Sequence, residues 1–422
     1  MKKIEICGGV NLTALENMQF KTSILSVNLV LPLKRETAAY YALIPFVLKR
    51  GSADHPNMEA VSRALDELYG ASIDPEVRKK GEMQIIGFNA SFIDRRYLPG
   101  CQNQLESMVS LLFELLCDPV LEDGSFVRDT VKSESANLID RINAECDDKR
   151  EYARLSMIKL MCEGEDFSVN RLGSVEDVQK ITSRSLFMRY NEILQSARIE
   201  IIYSGPCPED DLAAIIRRVF PLKARIPVPF GTKVIDRVDS VREKTEYMKI
   251  AQGKLVMGLR TGITSADKDY PAMMLFNAVY GSGVSSKLFM NVREKLSLCY
   301  YASSSLEPRK GILIVDSGVE AVNFNEARRE IIAQLRLCQE GSITHDELES
   351  ARLTIGNSLI SLNDSLYHIE DYWLSQAVAG LSRTPEELLN EILSLEKRDA
   401  AVAADRVILD TVYRLSGNEV QA

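Results

Sequence analysis

The sequence predicts an α+β protein of two homologous domains, each a mainly antiparallel sheet with helices packed on one face. Strand-like runs cluster beside long helical runs instead of alternating singly with them, the pattern of segregated layers. The order of runs in the first half returns in the second, as a duplication requires. Between the halves, 221–243 is polar and holds Pro227 and Pro229, the composition of a linker. The expected domains are therefore 1–220 and 244–422, joined by 221–243.

In the first half, residues 21–33 (KTSILSVNLVLPL) have the β-branched, alternating character of a strand. Helices are expected over 37–49 and 57–69, separated by the turn-forming Gly-Ser-Ala-Asp-His-Pro-Asn. Asn57 reads as an N-cap, with Val61, Ala64, Leu65 and Leu68 at helical spacing. Strands are expected next at 71–77 and 83–92. An apolar stripe then runs over 94–117, with further helices expected at 122–145, 149–162 and 176–194. A strand at 199–203 and a helix at 209–219 close the half.

The second half repeats this order: a strand at 246–261, helices at 268–280 and 285–295, strands at 298–306 and 311–319, a helix at 324–338, and helical chain over 344–379. Tyr69-Gly-Ala-Ser72 aligns with Tyr300-Tyr-Ala-Ser303 at an offset of 231. The likeness between the halves is one of pattern more than of identity.

Composition narrows the function. The 422 residues are 45% hydrophobic and 26% charged, as in globular domains, and long enough for two cores. With 51 basic and 60 acidic residues the net charge is −9, which argues against a nucleic-acid surface. No apolar run approaches the ~20 residues that cross a bilayer. Met-Lys-Lys-Ile-Glu-Ile-Cys lacks a leader's apolar core, so a cytoplasmic location is expected. Eight cysteines lie without any Cys-x-x-Cys spacing, which fits separately packed thiols. The three histidines, His55, His345 and His368, form no i, i+4 pair to chelate an ion. His345 reads as a solvated residue at a helix start and His368 as a packed helical one. No nucleophile elbow supports a serine or cysteine hydrolase.

Two segments carry the functional reading. Gly281-Ser-Gly-Val-Ser-Ser-Lys-Leu-Phe-Met-Asn-Val-Arg-Glu-Lys-Leu-Ser-Leu-Cys-Tyr300 places an arginine, Arg293, seven residues before a tyrosine, Tyr300. Its glycines miss Walker spacing, and Ser285 or Ser286 reads instead as a helix cap. Taken alone, a basic residue ending a helix and a tyrosine starting a strand are ordinary. The longer string resembles a pattern of the insulinase/pitrilysin family, the inverted-zincin metallopeptidases. The resemblance extends over essentially the full chain and implies a fold forming half of a clam-shell. By it, Arg293 and Tyr300 bind substrate, an arginine fork serving a peptide carbonyl and a phenol serving an oxyanion. Ser297 departs from the glycine the family favours.

The second segment is Ala42-Leu-Ile-Pro-Phe-Val-Leu-Lys-Arg-Gly-Ser52. Active members of the family carry His-x-x-Glu-His here, with a glutamate further along completing the zinc site. The resemblance puts Ala42, Pro45 and Phe46 at the His, Glu and His positions and Arg141 at the distal ligand position, with Asp140 the alternative if the register shifts by one. Alanine and phenylalanine have no lone pair for a metal, proline cannot take a proton, and a guanidinium repels a divalent ion. These are degenerate zinc-site positions, and this chain is expected to bind no cofactor.

The expected function is a non-catalytic, substrate-binding subunit of a heterodimeric zinc metallopeptidase. Its partners would be a paralogous subunit that bears the zinc and a peptide substrate, with neither nucleic acid nor membrane. Homodimer formation by the isolated chain is left open. Within the family the chain resembles a branch linked to aminopentanol modification of elongation factor P in Gram-positive bacteria. The alternative is a purely structural assembly protein derived from a peptidase.

Overall fold

The computed structural model describes residues 2–98, 104–220 and 225–417. Two compact units divide the chain: Met1–Asn143, Val169–Gly231 and Asn363–Ser382 make the first, and Ala144–Ser168, Thr232–Leu362 and Arg383–Ala422 the second. The expected segments 1–220 and 244–422 follow order along the chain. The compact units cut across that order, because each includes a helical segment from the other half of the sequence.

Each unit is built on one sheet, and the two share a strand order. In the first the order is Ser72–Lys80, Met83–Ile93, Thr22–Pro32, Arg198–Gly205, Val10–Glu16, Lys2–Cys7. In the second it is Cys299–Glu307, Ile312–Val319, Lys254–Arg260, Ile408–Ser416, Arg242–Tyr247. Each contains one parallel pair at the equivalent place, Val10–Glu16 with Arg198–Gly205 and Arg242–Tyr247 with Ile408–Ser416. The other pairings are antiparallel. The fold is α+β with two homologous domains.

One face of each sheet carries a thick helical layer, as expected. The opposite face is covered too, by a single helix. In the first unit, Ile369, Trp373, Leu374 and Val378 of the helix Leu366–Ala379 pack on Val30, Ile85 and Ile202. In the second, Met157, Ile158 and Met161 of the helix Lys149–Met161 pack on Val256, Ile312 and Ile314. Central strands are therefore buried on both sides, as the near-continuous burial of Thr22–Pro32 shows. Close approach sets one residue: a Cβ on Gly258 would lie 2.4 Å from Met161 Sδ and 2.6 Å from Met157 Sδ.

Buried ion pairs pin both covering segments. Glu370, fully buried, accepts from Ser26 Oγ at 2.6 Å and from Arg78 at 2.6 Å, while Asp371 meets Lys80 at 2.8 Å. In the second unit Glu165 binds Arg260 at 2.8 Å and Lys310 at 2.6 Å, and Arg260 also reaches Asp410 at 2.8 Å. Burial pushes the carboxyls of Glu165 and Asp371 up, but their cationic partners more than offset it, leaving both below the ordinary range. Groups with depressed native values stabilise the fold above their unfolded pKa, ~4.3 for Glu and ~3.9 for Asp, and lose that contribution as pH falls through the native value. Urea midpoints should therefore hold steady from pH 7 to pH 5 and fall below about pH 4. Glu165→Gln should flatten that fall.

Several expected elements are subdivided. The 94–117 stripe is a short turn of 3₁₀-helix, Arg95–Tyr97, and a helix, Gln104–Cys117; 99–103 lies outside the described residues. The expected helix 122–145 begins as a hairpin, Leu121–Glu122 with Ser125–Phe126, because Asp123 (φ 52°) and Gly124 (φ 72°) turn the chain. The helix proper is Arg128–Glu145. A Thr182–Ser185 capping box splits 176–194 into Val175–Val178 and Ser183–Ser196. Similarly Ser365, accepting from the His368 amide, starts a fresh helix within 344–379. The strand expected at 246–261 is two strands, Arg242–Tyr247 and Lys254–Arg260. The linker is irregular over 225–241, and 221–224 lies outside the described residues.

Candidate functional site

In the first unit the helix Arg35–Leu48 buries one flank against the core, with Ala42 wholly inaccessible, Pro45 buried and Phe46 half-buried. Pro45 has no N–H for the helix ladder. Beside it lies a small cleft lined by apolar groups of Ile44, Leu48, Phe88 and Ile193. Gly87 also lines this space because its backbone runs against Val27, whose carbonyl oxygen would lie 1.9 Å from an added Cβ.

Arg141 comes from the helix Arg128–Glu145, and its guanidinium carbon stands 4.5 Å from the centroid of the Phe46 ring. Two positions assigned from separate segments thus meet as a cation–π pair. Just past the end of the helix Arg35–Leu48, Arg50 pairs with Glu134, which is buried and also accepts from Asn137 at 3.3 Å. Among the described residues no group of three or more His, Cys, Asp or Glu is placed to hold a metal ion. A carboxylate already paired to Arg50 and a guanidinium lying on a ring can bind and orient polar groups. They offer a metal no ligand set.

The histidines lie elsewhere. His55 Nδ1 is 2.8 Å from Glu114 Oε1, and that carboxylate also takes the Ser52 hydroxyl, so His55 anchors a turn. His345 is exposed at the start of His345–Ser361. His368 is exposed and not packed as expected, because Ile369, Glu370 and Trp373 take the buried face of its helix.

The second unit carries the other segment. The helix Tyr270–Tyr280 ends at Gly281, where a Cβ would lie 2.4 Å from Ser304 Oγ and 2.8 Å from Leu288 Cδ1. The Phe289 amide donates to Ser286 Oγ at 3.4 Å, but the N-cap of the segment is Lys287, which makes no side-chain cap hydrogen bond. The next element is an eight-residue π-helix, Leu288–Lys295, in place of the expected α-helix. Its wider turn is a recurrent feature of functional segments. Buried Lys287 holds its start through Glu347 at 2.7 Å.

Arg293 lies on Phe289, four residues before it, with the guanidinium carbon 4.5 Å from the ring centroid; its Nε is 3.5 Å from the Glu294 carboxylate. Sequence reasoning missed this aromatic seat, although its i, i+4 spacing was the signal that could have found it. Tyr300 begins the edge strand Cys299–Glu307 within a β-bulge: Cys299 faces Val319 and Tyr301 faces Gly318, leaving Tyr300 as the extra residue. A bulge re-aims a side chain away from the regular alternation, and Tyr300 is 64% exposed. Burial pushes the Cys299 thiol up to about 11 while the charge of Arg293 pulls it down, so Arg293 acts electrostatically on the residue next to Tyr300.

Ser297, where the family favours glycine, has φ 50°. The turn is kept and serine bears the strain, which costs a side-chain-bearing residue ~1–2 kcal/mol. Ser297→Gly should therefore stabilise the chain by about 0.5–1 kcal/mol after glycine's greater unfolded entropy is allowed for, read as a raised urea midpoint.

Comparison with known proteins agrees with this architecture. The family description "Peptidase M16 inactive domain" matches residues 180–355, a span that includes Arg293 and Tyr300. A Bacillus subtilis protein named "Probable inactive metalloprotease YmfF" is 33% identical over 412 residues, covering 98% of this chain and 97% of that one. A conserved protein of Enterococcus faecalis superposes with a TM-score of 0.91 at 28% identity, covering 100% of this chain and 99% of that one. A Pseudomonas fluorescens structure described as a peptidase M16 inactive domain shares the fold, with a TM-score of 0.80 at 15% identity, over 100% and 99% of the two chains. On a likeness that runs through nearly its whole length, this chain belongs to the insulinase/pitrilysin (M16) peptidase family, as a homologue of its inactive members.

Proposed function

We propose that this protein is the substrate-holding, non-catalytic subunit of a heterodimeric zinc peptidase, acting in the cytoplasm beside a paralogous subunit that carries the metal. The observation that carries this reading is the contrast between the two segments. Positions 42, 45 and 46 hold no ligand or base, whereas Arg293 is seated on Phe289 and Tyr300 is turned outward by a bulge. A scaffold has no need of an exposed tyrosine at a bulged strand start. Val284, Met290 and Leu296 on the same segment are 70%, 48% and 42% exposed, an apolar surround suited to a peptide or a partner. The strand Cys299–Glu307 ladders on one side only, with Ile312–Val319, and although the Ser304 amide is taken by the Gly281 carbonyl, its start beside Tyr300 is where an extended peptide would add.

In this arrangement a zinc-bearing partner would supply the activated water, and this chain's own residues hold the substrate. Arg293 steadies a substrate carbonyl and the Tyr300 hydroxyl donates to the developing oxyanion. The likeness to the branch linked to elongation factor P modification makes a peptide segment in that pathway the substrate to try first.

The test is reconstitution. Neither this chain nor its zinc-bearing paralogue should cleave a quenched fluorescent peptide library efficiently alone, and the mixture should. Cleavage by this chain alone would make it an independent hydrolase. A mixture indifferent to Arg293→Ala and Tyr300→Ala would make it a structural assembly protein.

A further inference from the structure

We propose that Arg141, seated on Phe46, is a binding fork for a peptide carboxylate. This deepens the reading of a peptide-holding chain and rests on it.

Three observations carry the inference. The guanidinium carbon lies over the Phe46 ring, 4.5 Å from its centroid, and among the described residues no hydrogen bond takes up its N–H donors. The side chain is exposed, and among the described residues no carboxylate forms an ion pair with it. The acid seven residues earlier on the same helix, Glu134, is committed: Arg50 takes one oxygen and Asn137 the other. Asp140, next along the chain, lies ~100° around the helix and makes no ion pair with Arg141 either.

A guanidinium seated on a ring with no anionic partner has a chemical preference. Its parallel N–H pairs match the two oxygens of a carboxylate, giving two charge-assisted hydrogen bonds at once. A neutral carbonyl can use only part of the fork. Stacking on Phe46 limits the rotamers that must be frozen on binding, which raises affinity without a new contact. The carboxylate could be a peptide's C-terminus or an Asp or Glu side chain, since both present the same group.

The experiment uses the full chain and three hexapeptides of Ala, Gly and Leu labelled at the N-terminus with a BODIPY dye, which carries no carboxylate, followed by fluorescence anisotropy at low salt. One ends in a free carboxylate, one is amidated, and one is amidated with an internal glutamate. The free-carboxylate peptide, the glutamate peptide or both should bind at least tenfold more tightly than the plain amide, and the pattern names the source. Arg141→Gln and Arg141→Lys should abolish that preference and leave the amide's affinity unchanged. Because Arg141 is exposed, both variants should keep the native circular dichroism spectrum. Phe46→Leu should weaken the preference several-fold. Equal affinity for all three peptides, or a preference surviving Arg141→Gln, overturns the assignment and leaves the substrate-holding role standing. Failure of every peptide to bind overturns the assignment and the substrate-holding role together.

Discussion

Replacing Tyr300 with phenylalanine should lower turnover by the reconstituted pair about 100-fold while leaving KM within a few-fold. The substitution keeps the ring and deletes only the hydroxyl, and removal of one oxyanion donor costs at least ~2.7 kcal/mol in the transition state, about 100-fold. The position supports so selective an effect: Tyr300 is the unpaired residue of its bulge and is 64% exposed, so little packing depends on its oxygen. Arg293→Ala should act differently. It removes a fork that holds the ground-state carbonyl, so KM should rise about tenfold, the effect of one charged hydrogen bond of ~1.5 kcal/mol. The split between the two variants separates their roles and is measured by steady-state kinetics on the mixture.

Glu165→Ala should have the largest effect on stability. It takes from Arg260 (2% exposed) and Lys310 (0%) the carboxylate they share, leaving buried positive charge with one anion fewer. Breaking a buried ion pair from one side costs ~3–5 kcal/mol. The loss should fall on the covering segment of the second unit, because Arg260 Nη2 also donates to the Met161 carbonyl at the end of the helix Lys149–Met161. Hydrogen exchange should therefore report early opening of 149–161, together with a lowered urea midpoint. A drop below ~1 kcal/mol would mean the cluster is mere decoration on an apolar interface.

The layers were readable because their signals are local. Spacing alone predicts Asn57 as an N-cap, and its side chain accepts from the Ala60 amide at 2.9 Å. The pair 298–306 and 311–319 was placed from alternation, and the observed strands differ by a residue or so at their ends. Breaks inside helical runs were missed where a single residue decided them. Asp123 takes a left-handed conformation, and Thr182 and Ser185 close a box that looks like ordinary polar helix. The last strand, Ile408–Ser416, and the helices Pro385–Ser394 and Lys397–Ala404 were not assigned.

Sequence predicts the covering helices as helices, but not where they lie. Nothing in Lys149–Met161 or Leu366–Ala379 says which sheet it will lie on, since burial of Met157 or Trp373 is equally favourable against any apolar face. The site was legible in its residue types and not in its geometry. Sequence resemblance gave Phe46 and Arg141 separately, and only the fold shows the guanidinium lying on the ring. Likewise it gave Tyr300, but the bulge that turns the phenol outward depends on a pairing register that no local pattern encodes.

The central claim is that the helix holding Ala42 and Phe46 offers no home to zinc while the chain still grips peptide. Native mass spectrometry of the full chain, purified alone and equilibrated with excess zinc before desalting, tests this most directly. The expected spectrum is the metal-free mass, unchanged in Arg141→Gln. One zinc per chain, lost on substitution around 42–46, would contradict the account.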